Sequence, residues 1–454
     1  MDGVKPSVDT TRPTTLLPWR QLGLISVYWL GINAVWGGYE WFGQAQVELM
    51  VGQAARGTTM AAIEAVGGLI PILVVPTAGV LSDYTVSRFG KRKGYIISGS
   101  FFDLLFITGL AFMAMAKPAG WDGQALGSPL SIATYALLFW GLQFSSNVAQ
   151  GPYQGFVPDL VAESQVGIAS SAVGIMRMGG NILGALVMMA GVQTNQYGAA
   201  LFAIGVLEFS LAALTFRFVG DGPPGRPREG RSWLSIAKEA WGTDVLREGS
   251  FLRMTVVRFL FLMGTGIFIN VSLWYLRDSL GQTDEADQAL WGVITLGSLA
   301  LATLVSAVPA ARISDRVGRK PVIWAACFIA ATGIAVVAWA PTPPLAVAGL
   351  FIMGVGSGAY LAVDWALMTE TIPLVTSGRY MGLANIANSI ATPVGLLLAG
   401  PALIDTLTRA GMIGMGPRAA VALGIPVMAL AAVVLIGVHP RRDPRRPGSS
   451  RTTT

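Results

Sequence analysis

Cysteine and histidine are almost absent from this 454-residue chain, which contains one of each, Cys327 and His439. A single cysteine excludes an intramolecular disulfide, and the paired thiols of a zinc site are missing as well. The scarcity of histidine argues against a histidine-based nucleophile relay, so we expect no metal, no cofactor and no enzyme. Arg92 follows Gly90 and Lys91, so no Gly-x-x-x-x-Gly-Lys-Ser/Thr loop for ATP is present at this point.

Charged residues are also scarce, at 12% of the chain against 53% hydrophobic residues, a balance typical of a polytopic helical membrane protein. The formal net charge is +6, but the cations cluster in the loops and tails that flank apolar runs, where membrane topology explains them. We therefore expect a lipid bilayer around the protein and no nucleic acid as a partner.

Twelve apolar runs are long enough to cross a membrane as helices of roughly 20 residues each. They lie near 22–43, 59–82, 94–116, 130–155, 167–192, 199–219, 251–276, 288–311, 321–340, 345–368, 379–404 and 418–438. The prolines inside these runs are compatible with helices in a membrane, because neighbouring spans can satisfy the freed carbonyl groups.

The runs predict five segments along the chain. These are a cytosolic N-terminal tail at 1–21, a six-helix bundle at 22–219, a linker at 220–250, a second six-helix bundle at 251–438 and a basic tail at 439–454. After Ser232, a good N-cap residue, the linker is predicted to form a short helix. That helix either lies amphipathically at the inner membrane interface or is merely solvated, and the sequence supports both interpretations equally.

Lys and Arg are concentrated in every second loop, which sets the orientation of the chain in the membrane. The rich loops and tail contain Arg88, Lys91, Arg92, Lys93, Arg226, Arg228, Arg231, Arg312, Arg316, Arg319, Lys320 and Arg441 to Arg446. The opposite loops contain only Arg56, Lys117, Arg277, Arg409 and Arg418. Both termini are therefore predicted to be cytosolic, in a multi-pass protein of the cell membrane.

Two short charged stretches repeat one pattern between apolar runs. Residues 79–93 read GVLSDYTVSRFGKRK, and residues 311–320 read ARISDRVGRK. Charges at this density cannot sit in hydrocarbon, so each stretch is predicted to be a solvated turn between two spans. A second repeat, at an offset of 211 residues, places Gly167 on Gly378 and Gly184 on Gly395. Internal repeats of this kind are typical of transporters with a substrate site at the repeat interface.

Both stretches resemble the signature loop of the major facilitator superfamily, Gly-x-x-x-Asp-Arg-x-Gly-Arg-Lys/Arg. The matching residues are Asp83, Gly90, Lys91 and Arg92 in the first copy and Asp315, Arg316, Gly318, Arg319 and Lys320 in the second. The first copy is four residues longer, as in the branch of proton-linked sucrose transporters and cation-linked glycoside symporters. Tyr84 stands where that branch usually has Arg, and Ala311 where the signature has Gly.

The resemblance implies an all-α fold of twelve transmembrane helices in two pseudo-symmetric six-helix bundles, acting as a monomer by alternating access. It favours symport of a glycoside or oligosaccharide with protons. Two other functions stay open: export of amphipathic compounds, and a membrane receptor or scaffold that transports nothing.

Acidic residues inside the predicted spans are the candidates for proton coupling, since a charge at mid-bilayer costs about 2.5 kcal/mol or more unless it is paired or hydrated. We rank them as Asp103 and Asp364 first, Glu64 next, and Glu40 and Glu208 last. Asp103 is expected to pair with Arg177 if the third and fifth spans allow it. The alternatives are structural pairing of Asp103 and Glu208 with neighbours, and a Glu40 side chain that reaches the interface.

Uncharged polar residues form stripes on several spans and must turn inward in lipid. The resemblance implies that several of these spans border the central cavity, so their polar residues are candidates for substrate contact. The candidates are Gln143, Asn147, Gln150, Tyr153, Arg177, Asn181, Arg258, Tyr360, Asn385 and Asn388. The alternative is that these residues only make hydrogen bonds between helices.

The signature loops also predict an inner gate. Asp83 is expected near Arg379 and the positive start of the eleventh span, with support from Arg88, and Asp315 is expected near Gly167 by the repeat. These contacts are expected only when the cytosolic side is closed.

Overall fold

The computed structural model describes residues 13–114, 118, 120–220, 222, 224–225, 227–238, 249–371 and 377–439, without the side chains of 365, 369, 370 and 377–385. The described residues form helices and the turns between them, with no strand. Several predicted features lie outside the described residues: the tails at 1–12 and 440–454, linker residues 239–248, the cations Lys117 and Arg226, and the side chains of Arg379 and Asn385.

Within the described residues up to 220, the chain forms eight α-helices. They are α1 (Trp19–Ser26), α2 (Tyr28–Val51), α3 (Arg56–Asp83), α4 (Lys93–Phe112), α5 (Pro129–Tyr153), α6 (Phe156–Leu160), α7 (Val166–Gln193) and α8 (Tyr197–Phe218). Helices α1 and α2 are nearly continuous, because Val27 between them keeps helical backbone angles. We call this part the N-half.

A short helix, α9 (Trp233–Lys238), follows in the linker, as predicted. Ser232 caps it by accepting a hydrogen bond from the N–H of Ser235 at 3.2 Å. Ile236 is fully buried, whereas Trp233 and Leu234 are exposed. The helix packs against α3. Its position at the membrane interface stays a prediction.

The described residues from 249 on, which we call the C-half, again form eight α-helices. They are α10 (Gly249–Trp274), α11 (Glu285–Val317), α12 (Arg319–Trp339), α13 (Pro343–Thr371), α14 (Ser377–Ala399), α15 (Thr406–Arg409), α16 (Met415–Ala422) and α17 (Gly424–Ile436). A π-helical turn, Tyr275–Ser279, extends α10, and a second, Gly400–Asp405, joins α14 to α15.

Ten helices in the described part of the chain are long and apolar enough to cross a membrane. The other two predicted spans correspond to α2 and α5, which have 24 and 25 residues. The twelve spans are thus all present as helices. Prolines lie inside α3, α5, α11 and α14, as the sequence leads one to expect for a membrane bundle.

Close helix packing within the N-half depends on glycine. A Cβ atom at Gly184 would lie 2.0 Å from the carbonyl oxygen of Ala34, and one at Gly180 would lie 2.3 Å from that of Leu30. Helices α2 and α7 therefore approach each other backbone to backbone.

Contacts between the halves gather at one end of the molecule. We call the end with the loop after α3 the motif end and the opposite end, where α2 passes into α3, the far end. At the far end, Gln44 of α2 accepts from the N–H of Leu273 at 2.9 Å and donates to the carbonyl of Ile269 at 3.0 Å. Helices α3 and α14 also pack together, with Gly68 against Pro393.

Candidate functional site

A buried polar cluster lies between three helices of the C-half. Arg258 of α10 forms an ion pair with Asp364 of α13. Its Nε donates to Asn388 Oδ1 of α14 at 2.8 Å. The Tyr360 hydroxyl donates to the other Asp364 oxygen at 2.8 Å. The sequence predicted all four residues as separate candidates, and the structure brings them together.

Helix geometry explains how this cluster is held. Tyr360 and Asp364 are four residues apart, so they lie on one face of α13. The ring of Tyr360 stacks on Phe261 of α10, with centroids 3.8 Å apart and planes 6° apart. Asp364 is 2% exposed and Arg258 7% exposed. An unpaired charge that is buried away from water is unfavourable in free energy. Each member of the pair therefore needs the opposite charge of the other.

Asn388 connects this cluster to water. It is exposed, although it lies in the middle of a membrane-spanning helix. Arg177 and Asn181 of α7 are exposed as well. Arg177 places its guanidinium 4.9 Å from the ring centre of Trp29. A guanidinium and amides at this depth cannot face hydrocarbon, so we infer that they line a water-accessible cavity between the halves.

The polar stripe of α5 has mixed environments. Asn147 is buried and donates to the carbonyl of Gln143 at 2.6 Å, so its amide is bound within its own helix. Gln143 and Gln150 are half-buried. Tyr153 donates to the carbonyl of Ile25 at 2.5 Å, and its ring packs among other aromatic rings. The hydroxyl of Tyr153 is therefore engaged by the protein itself.

Two of the predicted acids share a second buried cluster in the N-half. Glu208 accepts a hydrogen bond from Ser100 at 2.8 Å, and Ser100 also bonds Tyr28 at 2.6 Å. Asp103 accepts from Ser145. Among the described residues no cation pairs with either carboxylate, and Arg177 lies on Trp29 instead. The expected Asp103–Arg177 pair is therefore absent, and the alternative of structural partners is the one observed.

The remaining candidate acids, Glu40 of α2 and Glu64 of α3, lie on neighbouring helices. Glu40 and Glu64 are half-buried and close enough to interact electrostatically. Within the part of the chain that the structure describes, neither carboxylate has a hydrogen-bond donor. Both therefore stay available to water or to a ligand.

The first signature loop forms a compact cluster of ion pairs at the motif end. Arg92 donates to Asp83 at 2.9 Å and to Asp159 at 2.7 Å. Lys91 lies 2.8 Å from Asp159 and 3.5 Å from Asp83. Gly90 between these elements has φ +84°, which favours glycine. Asp83 is thus paired within its own half in this structure, and its expected contact with Arg379 lies outside the described side chains.

The second signature loop is arranged differently. Gly318 has φ +98°, and Lys320 donates to the carbonyls of Ile436 and Val438 at 3.0 and 2.8 Å. Asp315 is exposed, and a Cβ atom at Gly167 would meet nothing within 4 Å. The structure therefore shows open space where Asp315 was expected to approach the start of α7. Arg88 of the first loop lies over the ring of Phe89, with the guanidinium 4.6 Å from its centre.

Sequence reasoning did not identify the acids at the far end. Glu48 and Asp405 are buried there, the side chain of Asp278 is 5% exposed, and all three bind groups of the opposite half. They lie at helix ends, where a carboxylate in a sequence looks like an ordinary interfacial residue. Two features of the sequence could have pointed to these acids. Asp278 directly follows Arg277, and Glu48 lies just before the turn after which the next span begins with Arg56.

A family model described as Major Facilitator Superfamily matches residues 28–396, with a further match over 254–454. Sucrose transport protein SUT1 of Oryza sativa subsp. japonica is 33% identical over 124 residues, or 26% of this chain and 23% of the relative. The minor myo-inositol transporter IolF of Bacillus subtilis (strain 168) is 29% identical over 28% of each chain. The matched region thus spans about a quarter of these relatives.

A more extended match is the multidrug efflux pump Tap of Mycolicibacterium fortuitum, 24% identical over 75% of this chain and 80% of the relative. Among solved structures, a mutant of the nucleoside transporter NupG has a TM-score of 0.71 at 13% identity, covering 92% and 99% of the two chains. A D-xylose-proton symporter has a TM-score of 0.65 at 15% identity, covering 93% and 97%. At such identities the likeness establishes the fold alone.

Proposed function

Because this chain belongs to the Major Facilitator Superfamily and is a membrane transporter rather than an enzyme, we propose that it moves a glycoside or oligosaccharide together with protons. The transport cycle alternates access to one cavity between the two halves. The local similarity to sucrose and inositol transport proteins supports this class of substrate.

The Arg258–Asp364 pair is the observation that carries the proton-coupled mechanism. A proton on Asp364 removes the negative charge that holds the guanidinium, so Arg258 is released as a hydrogen-bond donor. Asn388, bonded to Arg258 on one side and exposed on the other, carries this change to the cavity. Proton binding and solute binding are then linked through one hydrogen-bond chain.

The cavity offers the chemistry that a sugar requires. The amides of Asn181 and Asn388 present donors and acceptors for hydroxyl groups, and Arg177 adds a fork of donors. Small polar solutes fit this lining better than strongly apolar ones.

The structure corresponds to one state of the cycle. The halves are joined at the far end, and the polar cavity side chains are exposed. With the predicted orientation, the motif end is cytosolic, so we assign this state as open to the cytosol. Release of solute and proton on that side completes uptake.

The test uses the purified protein in liposomes with an imposed proton gradient and a panel of labelled glycosides. We expect uphill accumulation by the wild type. Asp364→Asn should abolish accumulation yet keep downhill exchange, because the neutral side chain no longer responds to protons. Asp287→Asn, an exposed acid at the start of α11, is the matched control and should accumulate normally. Loss of both modes in every variant, or accumulation by Asp364→Asn, would contradict the proposal.

Export of amphipathic compounds is the second candidate function. It is favoured by the extended match to a multidrug efflux pump over 75% of this chain. Cells that express the protein should then retain less of a fluorescent lipophilic cation, and the liposomes should show no sugar uptake. Absence of any transported solute in both assays would leave the receptor or scaffold interpretation.

A further inference from the structure

Four charged side chains meet at the far end, two from each half. Glu48 lies in the last turn of α2 and Arg56 begins α3, whereas Arg277 and Asp278 lie in the π-turn that extends α10. Arg56 lies 2.9 Å from Glu48, and Arg277 lies 2.7 Å from Asp278. Across the halves, Arg277 lies 2.8 Å from Glu48, and Arg56 pairs with Asp278. We call these four residues the far-end network.

The network is withdrawn from water. The side chain of Arg56 is 0% exposed and that of Glu48 2%, and the guanidinium of Arg56 lies 4.8 Å from the ring centre of Trp274. Charges buried to this degree are tolerated only when each has an opposite partner. The network satisfies this condition while the halves are closed at the far end.

The charges are also balanced within each half. If the halves separate here, the two pairs between the halves break, but Arg56–Glu48 and Arg277–Asp278 can persist. No half is left with an unpaired buried charge, which is the usual penalty for splitting an ion pair. A small cavity of about 50 Å³, lined by Glu48 and Arg277 among others, adjoins the network and is large enough to hold water.

A second contact between the halves lies beside the network. Asp405 of the C-half accepts from the N–H groups of Gly57 and Thr58 at 2.8 and 2.7 Å, and from the Thr58 hydroxyl at 2.5 Å. These N–H groups are unpaired donors of the first turn of α3. The N-cap residue of α3, Ala55, offers no side-chain acceptor. Helix α3 is thus capped by the opposite half.

We propose that the far-end network and Asp405 together set how readily the carrier opens at the far end. The network lets the halves part without stranding a charge, and Asp405 holds α3 only in the closed state. These residues act as positioning residues for the conformational change. Among the described side chains, they make no hydrogen bond or ion pair with the residues of the proposed solute site. The proposal uses the two-state cycle of the proposed function, but it requires neither a sugar nor a proton.

Charge exchange within one half tests the network. In the half-exchange, Glu48→Arg with Arg56→Glu, the N-half stays neutral but like charges face each other across the halves. In the full exchange, Arg277→Asp and Asp278→Arg are added, and complementarity returns. The half-exchange should increase the ratio of carriers open at the far end to carriers closed there by about tenfold or more. The full exchange should return this ratio toward the wild-type value.

Thiol labelling reads the two ends separately in a Cys327→Ala background. Ala45→Cys reports on the far-end cavity, and Asn181→Cys reports on the exposed cavity toward the motif end. A shift in conformation makes the first react faster and the second slower, whereas misfolding makes both faster. Asp405→Ala should give the same pattern at about fivefold, the size of a lost helix cap. Asp122→Asn, an exposed acid at the far end, is the control and should change neither rate.

The outcome that supports the proposal is opposite changes at the two reporters in the half-exchange and their reversal in the full exchange. Unchanged rates in the half-exchange would overturn it, and so would a full exchange as open as the half-exchange. Because labelling is measured without solute or gradient, a failure here is distinct from a failure of sugar or proton transport.

Discussion

Arg231 of the linker lies over the ring of Tyr84, with the guanidinium 5.5 Å from the ring centre, and donates to the Tyr84 hydroxyl at 3.4 Å. Tyr84 occupies the position in the first signature loop where the related branch usually has arginine. The cation at this place is therefore supplied by the linker rather than by the loop. The linker also touches the loop at Gly225, where an added Cβ atom would lie 2.2 Å from the carbonyl of Thr85.

This relationship predicts that Tyr84 ties the linker to the N-half. Tyr84→Arg should release the linker, because it replaces an attractive ring with a like charge facing Arg231. We expect proteolysis between residues 227 and 238 to become severalfold faster. Tyr84→Phe, which keeps the ring, should behave much more like the wild type. Equal cleavage rates in all three proteins would show that the contact does not hold the linker.

The fold was largely predictable from the sequence because it depends on patterns that repeat locally. Apolar runs of membrane length predicted all twelve spans, and the two charged stretches marked equivalent turns. The far-end network was not predictable in this way, because Arg56 and Asp278 are separated by 222 positions. Only the packing of one half on the other brings them together. Mid-span position, the criterion applied to acids, also overlooks Glu48, which lies at a helix end.

The candidate site was predicted in part. Four of the candidate residues, Arg258, Tyr360, Asp364 and Asn388, lie together in one cluster. The predicted partner of Asp103, Arg177, was wrong. The depth of two residues in the membrane does not determine whether the helix faces that carry them, on α4 and α7, are in contact. Ser145 of α5 faces Asp103, whereas Arg177 faces Trp29. Which acid couples to protons stays a prediction.

Arg92 is predicted to stabilise the motif end of the N-half. It bonds Asp83, Asp159 and the carbonyl of Pro152, and it is 8% exposed. Arg92→Gln removes these bonds and leaves two carboxylates to share Lys91. We expect a loss of about 2 kcal/mol or more in the free energy of unfolding in detergent. Lys91→Gln should cost clearly less, and a larger loss for Lys91 would contradict the prediction.

Topology can be tested at sites where the backbone accepts a side chain. Gly220 has open space around its Cα, and Asp287 is exposed on the first turn of α11. In a Cys327→Ala background, Gly220→Cys should react with an impermeant thiol reagent only from the cytosol. Asp287→Cys should react only from outside. The reverse pattern would show that the orientation drawn from Lys and Arg is wrong.

The glycine contact between α2 and α7 predicts a strong size limit at Gly184. Gly184→Val places atoms where the carbonyl of Ala34 lies, so the two helices must separate. We expect little folded protein, measured as the monodisperse fraction in detergent. Gly179→Ala, on the same helix with nothing within 4 Å, is the matched control and should fold normally. A well-folded Gly184→Val protein would mean that the helices can shift apart at small cost.

The Arg258–Asp364 pair makes a prediction that separates stability from transport. Asp364→Asn leaves a buried guanidinium without its counter-charge, which should cost about 3 to 5 kcal/mol in the free energy of unfolding. Arg258→Gln leaves the carboxylate and should cost a similar amount. The double variant removes both charges, so its loss should be well below the sum of the single losses. Tyr360→Phe removes one neutral hydrogen-bond donor and should lower the free energy of unfolding by about 1 kcal/mol. This variant shows how much the loss of an uncharged hydrogen bond costs at the same site. Additive losses in the double variant would show that the two side chains do not depend on each other, and the link from proton to guanidinium would then lose its physical basis.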